Sequence, residues 1–547
     1  VARAVLRAER GPGSDVRPGT SLWAVYPPGV DDSFGTAGDG TLTWHTKVAV
    51  DEVETHGAIS TITVTETTKA GVDGWSAAPL ALVPAVVDLG KQPAAAILRL
   101  ADRVVAGLGE AGDAPALPRL AVLDLLRRVP PRLRAGESFP SAAERTDDLV
   151  GAITRTVLAL DDSYLAVQGP PGTGKTFTGS RVVARLVAEG WKVGVVGQSH
   201  AVVENMLAGI VAAGVAREDV GKKNATGDTD EHPWTRLTDA ASSSVEAFLA
   251  DHAGRGCVVG GTQWTFCAEK NVPPGGYDML VVDEAGQFAL AGTLAVASAA
   301  RNVMLLGDPQ QLPQVTQGTH PEPVDTSALG WLMDGHATLP DHLGFFLAES
   351  WRMHPAVCGP VSRLSYEQRL RSRPGVPEHR ELVGTAPGVH LVEVEHAGRA
   401  TASPEEATAV VDVVRDVVGS TWIPGRDEPG RVATDEDVIV VAAYNAQVQL
   451  VREALDRAGF EGTRVGTVDR FQGQEAPVAV VTFATSSAEE AARGMTFLLD
   501  RHRVNVAVSR AQHHAVLVRS THLVDHLPTT PAALADLGAF LGLTDPL

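Results

Sequence analysis

Cysteine is scarce in this chain: three thiols in 547 residues, Cys257, Cys267 and Cys358. Three cannot build a disulfide framework, and they fall short of the four thiolates of an iron–sulfur cluster or an all-cysteine zinc site. Reduced thiols in a cytoplasmic setting are the expectation. Long apolar runs are missing too; no stretch of 18 or more apolar residues occurs, so no membrane-spanning helix is expected. The opening residues, 1 to 17, carry scattered charge and lack the apolar core of a signal peptide. Positive charge is the minority sign, with 46 Lys+Arg against 66 Asp+Glu and a formal net charge of −20. The overall field therefore does not favour coating a polyanion, although a locally basic groove stays open.

What is present is the composition of an ordinary globular protein, 44% hydrophobic and 20% charged. This length implies about three or four domains. Residues 1 to about 90 read as β-rich. Thr41–Trp44, Val48–Val50 and an alternating run from Ile59 to Thr67 are broken by Pro27-Pro28-Gly29 and Gly71–Gly74, the pattern of a small barrel or hairpin domain. Residues 91–140 carry two helical patterns, Ile97/Leu100/Ala101/Val104/Leu108 and Leu120/Leu123/Leu126, a helical stalk. Arg119, Arg127, Arg128, Arg132 and Arg134 concentrate on the second, as a solvated face or a phosphate-contacting one.

From Tyr164 onward apolar strands alternate with helical segments, first over 141–340, with a polar insertion at about 217–256, then over 341–547. Val193–Val196, Cys257–Val259, Met279–Val282 and Val303–Leu306 read as buried parallel strands of the first unit; Val389–Val394, Val438–Ala442, Val478–Phe483 and Ala515–Val518 read so in the second. The expected fold is α/β, two tandem doubly wound parallel-sheet units behind the β-rich and stalk regions.

The most specific motif is Gly169-Pro170-Pro171-Gly172-Thr173-Gly174-Lys175-Thr176, between a strand-like run and a helix-like one. Glycine-rich backbone N–H groups and a helix N-terminus cradle phosphates, Lys175 reaches the β/γ oxygens, and the Thr176 hydroxyl ligates Mg²⁺. Asp283 and Glu284 end a later strand. Asp283 would hold Mg²⁺, and Glu284 would accept the proton of the attacking water. Gln311, in Gly307–Pro313, is an amide suited to the γ-phosphate or its water, though Gly-Asp-Pro is also turn chemistry. Arg352 in Trp351–Pro355 and Arg510 in Val508–Ala511 offer guanidinium groups from the second unit, where charge develops on the phosphate oxygens. Trp351 could stack on the base or sit in the core.

These segments, with Val468–Glu475 and Val504–Ala511, resemble the ordered motif series of superfamily 1 helicases over about residues 150 to 520. The RNA-decay and replication-nuclease branch of that superfamily is the nearest likeness, and the helicase module of RecB-type nuclease–helicase fusions is similar. The likeness implies two RecA-like units and ATP as substrate. By it, Gly473 lies in the nucleotide-binding Phe-Gln-Gly motif, Glu475 would contact the ribose, and Trp351 takes the place of an adenine-stacking tyrosine. Ser199, His200, Thr262, Tyr444, Asn445 and Thr467 would touch the strand; His200 stands where Asn is usual. The adenine-reading Gln expected ahead of the phosphate loop has no counterpart in Thr146–Val150.

The activity so implied is a nucleic-acid-dependent NTPase moving 5′→3′ along a single strand, with DNA ahead of RNA, as a monomer. Any nuclease domain or partner would lie upstream of Val1, since these residues carry no nuclease carboxylate–lysine pattern. Two other readings use the same motifs. One is an ATP-controlled clamp or ribonucleoprotein remodeller that does not unwind processively. The other is a ring-forming ATPase, against which the second α/β unit argues.

Overall fold

The computed structural model describes residues 2–9, 16–26, 43–56, 59–66, 78–84, 91–109, 117–223, 231–273, 275–314 and 320–544. The chain divides into two compact units, Val1–Leu89 and Gly90–Leu547.

The first unit is an antiparallel five-stranded sheet in the order Ala2–Glu9, Ile59–Glu66, Thr43–His56, Ser21–Tyr26, Ala81–Pro84. Its pattern is that of a half-buried strand: Ile62 and Val64 join Leu22, Ala24, Val48 and Val50 in a small core, while Ile59, the first residue of its strand, is exposed. The two outer strands do not pair with each other among the described residues. The turn clusters at Pro27–Gly29 and Gly71–Gly74 lie outside the described residues.

Among the described residues the second unit holds two large parallel sheets beside two small ones. One has eight strands, in the order Gly344–Phe346, Tyr164–Gln168, Ala300–Gly307, Tyr277–Asp283, Lys192–Gly197, Cys257–Thr262, Val220–Lys223, Thr235–Leu237. Helices cover both faces, so strand residues are buried alternately on each: Tyr164 and Ala166 in one core, Leu165 and Val167 in the other. The second sheet runs Gly388–Val394, Ala511–Ser520, Ala476–Thr482, Val438–Ala442, Arg464–Gly466. There Ile439 and Val441 face one core and Val438 and Val440 the other.

Two sequence readings change. The polar stretch read as an insertion supplies the last two strands at one side of the first sheet; its polarity hid them, because Lys222 is fully buried against the Glu204 carboxylate at 2.8 Å. Of the five stalk arginines three are held by carboxylates, while Arg127 and Arg134 are exposed. Arg119 pairs with Asp161 at 2.9 Å, Arg128 with Asp334 at 2.6 Å while lying over Trp331, and Arg132 with buried Asp124 at 2.9 Å. The helix Lys91–Gly109 likewise docks, with Ala96 and Leu100 in the core beside Phe266 and Cys267 and Arg99 donating to the Cys267 carbonyl at 2.8 Å.

Candidate active site

The phosphate loop leaves the fully buried strand Tyr164–Gln168 and enters the helix Lys175–Ala188. Gly172 and Gly174 have φ of +73° and +76°, the left-handed region where glycine alone costs nothing. Gly174 caps the helix without a side-chain acceptor, so the first N–H groups of the helix stay available for an anion. Lys175 folds back over the loop so closely that a Cβ on Gly169 would lie 2.1 Å from its Cγ. Its ammonium ends 3.4 Å from the Glu284 carboxylate, bringing two predicted residues together.

Asp283 ends its strand buried, and its Oδ1 accepts the Glu284 N–H at 3.0 Å. Burial and then the neighbouring Glu284 carboxylate push Asp283 up to about 7, with Lys175 pulling the other way. Glu284 itself sits at φ +53°, a strained conformation for a non-glycine residue. Gly286 and Gly307 let the Asp283–Gln287 and Gly307–Pro313 turns pack backbone on backbone: a Cβ at Gly286 would lie 2.4 Å from the Asp308 carbonyl. Gln311 is buried and its amide donates to Asp308 at 2.9 Å. Asp308 also accepts from Gln168 at 3.2 Å and from the Tyr366 hydroxyl at 2.7 Å. Asn505 then donates to that hydroxyl at 2.8 Å and to the Gln310 carbonyl at 2.7 Å, joining the two halves. Burial, and next the Asp308 charge, hold the Tyr366 phenol well above its ordinary range, so it stays a donor.

The segment Ser350–Arg352 lies on the phosphate loop. Trp351 N–H donates to the Gly172 carbonyl at 2.8 Å, Ser350 Oγ to the Pro171 carbonyl at 3.1 Å, and a Cβ on Gly172 would lie 2.4 Å from Arg352 Cβ. Arg352 is buried, its guanidinium held by Glu475 at 2.5 Å and by the Ser509 carbonyl at 3.0 Å. Arg510 is fully buried and donates to the carbonyls of Val506, Phe471 and Gln474 and to Ser509 Oγ at 2.8–3.3 Å. Desolvation, then repulsion from Arg352, holds Arg510 well below its ordinary range, with Glu475 and Glu284 opposing.

Glu475, expected on the ribose, is 43% exposed and holds Arg352 and, at 2.8 Å, accepts from Gln512. Gly473 turns at φ +79° on the surface beside it. The core reading of Trp351 is overturned: it is 49% exposed, with Arg373, tied to Glu349, over its ring at 4.9 Å. Sequence reasoning missed Arg380, which donates to the Trp351 carbonyl at 3.0 Å and to the Arg352 carbonyl, beside Glu475. A lone arginine outside any motif gave no signal.

The residues expected on the strand follow the carboxyl ends of parallel strands, the edge where open α/β sheets bind ligands. Ser199 follows Lys192–Gly197 and caps the helix His200–Ala212, accepting from Val202 N–H at 3.3 Å. Thr262 ends its strand; Tyr444 and Asn445 open the helix Asn445–Arg457, and Thr467 follows Arg464–Gly466. Tyr444 departs from expectation, because its ring packs into the core against Phe497 and is withdrawn from the surface.

Residues 151–326 and 325–522 each match a family described as an AAA domain. The chain is 26% identical over 427 residues to DNA-binding protein SMUBP-2 of Rattus norvegicus, covering 66% of this chain and 41% of that protein. It is 24% identical over 405 residues to the DNA replication ATP-dependent helicase/nuclease JHS1 of Arabidopsis thaliana, covering 69% and 28%. Among solved structures, the arterivirus nonstructural protein 10 helicase aligns at 16% identity and a TM-score of 0.40, over 95% of this chain and 77% of that one. The chain spans less than half the length of either curated relative. With two adjoining AAA-domain matches around one phosphate loop, and a helicase/nuclease among its relatives, the chain is similar to the superfamily 1 helicases.

Proposed function

We propose that this chain is a nucleic-acid-stimulated NTPase, with ATP its substrate, that moves 5′→3′ along single strands, DNA ahead of RNA, and separates duplexes. The supporting observation is the seating of Ser350–Arg352 from the second half on Gly172 of the first. A triphosphate on that loop meets Lys175 and Gln311 from one side and guanidinium groups from the other.

Mg²⁺ fits this site. Asp283 is a buried carboxylate whose proton affinity is raised by burial and by Glu284, the environment a divalent cation compensates, and Thr176 opens the adjacent helix. Bound by Thr176 and Asp283, it would neutralise phosphate charge. Glu284 orients and deprotonates the attacking water, while Lys175 holds both the phosphates and, before they arrive, that carboxylate. Arg352 approaches the γ-phosphate from its seat on the loop, with Glu475 and Arg380 setting its position. Arg510, most of its donors satisfied, supplies fixed positive potential from within the second half. Hydrolysis removes the bridge between the halves, and a strand gripped unequally in the two states is moved.

The test is NTP hydrolysis with matched DNA and RNA oligonucleotides at stated salt, beside strand displacement on 5′- and 3′-overhang duplexes. Stimulation with displacement from the 5′ overhang supports the motor. Stimulation without displacement favours the clamp or remodeller.

A further inference from the structure

Beyond the cleft, the second half carries an arrangement that the nucleotide chemistry does not use. Between the strand Ala476–Thr482 and the helix Arg501–Val508 the chain makes the short turn Met495–Leu498. That turn lays Phe497 on Tyr444, ring centroids 5.7 Å apart, at the carboxyl edge of the sheet where Asn445 opens its helix. Two guanidinium groups lie over the Phe497 ring, Arg493 at 3.9 Å and Arg503 at 4.4 Å from its centroid.

Among the described residues neither has a carboxylate within 4 Å, in a chain where acids outnumber bases. Their neighbour Arg501 is tied to Asp536 at 2.6 Å. The local acid, Asp500, accepts the Arg503 backbone N–H at 2.9 Å and faces His502 at 3.6 Å, and it feels the Arg503 charge only from beyond ion-pair distance. Stacking on an aromatic face orients a guanidinium while leaving its in-plane N–H donors free. Two such forks held against one ring suit phosphodiester oxygens.

The geometry points to Arg493 and Arg503, positioned by Phe497, as a phosphate clamp on single-stranded nucleic acid. The inference rests on the functional reading above and adds to it a contact outside the residues that reading names. Arg503 and Arg510 share one helix and its terminal turn, so a strand held at one end bears on the element that carries the buried arginine at the other.

The test is fluorescence anisotropy of labelled 20-mers of dT and of U across a salt series, on the full chain. For single strands each lost phosphate contact removes about 0.7 from the slope of log K against log salt. Arg493→Gln with Arg503→Gln is expected to flatten the slope by about 1.4 and to weaken binding at least tenfold near physiological salt, to both oligonucleotides. Phe497→Leu, which keeps both charges, is expected to show a smaller loss in the same direction. Should the double variant not fold, Arg493→Gln alone, on an exposed side chain, is expected to flatten the slope by about 0.7. Wild-type binding with an unchanged slope in these variants overturns the clamp and leaves the functional reading standing. A wild-type chain that binds neither oligonucleotide overturns that reading and the clamp with it.

Discussion

Replacing Gly172 by alanine probes the junction of the two halves with one methyl group. At φ +73° an L-residue costs about 1–2 kcal/mol in the left-handed region. The added Cβ would sit 2.4 Å from Arg352 Cβ, 2.8 Å from Ser350 Oγ and 3.2 Å from Arg352 N. Two of those atoms are backbone or rigidly attached to it, so rotamer change cannot relieve the contact and the Ser350–Arg352 segment must withdraw by about 1 Å to reach ordinary van der Waals separation. A displacement of that size at a reacting centre costs on the order of 10² in rate. The expected outcome is a folded protein, its denaturation midpoint lowered slightly, whose NTP turnover falls about a hundredfold while strand binding persists. Turnover within about twofold of wild type would refute the claim that this segment's seating matters to catalysis.

Lys175→Ala and Glu284→Gln are expected to abolish turnover with strand affinity largely intact, checked by steady-state hydrolysis beside anisotropy. Trp351→Ala, removing a half-exposed ring with one face free of Arg373, is expected to raise KM for the nucleotide several-fold with kcat less affected. Glu406 is fully buried and accepts from Thr482 Oγ1 at 2.6 Å, Phe483 N–H at 3.0 Å and Ala484 N–H at 2.9 Å; Glu406→Ala should cost about 3 kcal/mol or more, read from urea unfolding. His513 and His514 are held down to about 4, first by burial, then for His513 by His354 and for His514 by His390 against a hydrogen bond to the Ala386 carbonyl. The unfolded chain therefore binds more protons between about pH 6.5 and 4, so stability is full above 6.5 and falls as the pH drops through that window; His513→Asn should flatten the fall.

The phosphate loop, the Asp283–Glu284 pair and the buried parallel strands were legible because each imposes a local pattern: glycines at fixed spacing, carboxylates at a strand end, unbroken valine runs. What the sequence concealed depends on partners distant in the chain. Arg132 reads as surface charge until Asp124 and the carbonyls of Asp161 and Asp162 close around it. Lys222 reads as loop until Glu204 allows it to be buried in a strand flanked on both sides. Glu475 carries a motif's signature, yet its carboxylate serves Arg352, a relation spanning more than a hundred residues. Arg380 lies in no motif at all, and only the fold brings it to the Arg352 carbonyl.

The central claim is that one triphosphate is acted on from both halves of the chain. The most direct measurement is the strand-stimulated kcat of Arg352→Ala against wild type, with folding and nucleotide binding checked in parallel. The account predicts a loss of ~10³-fold or more, the range for an arginine facing a transferring phosphoryl group. A kcat within about threefold of wild type would contradict it, leaving the phosphate loop a site served by the first half alone.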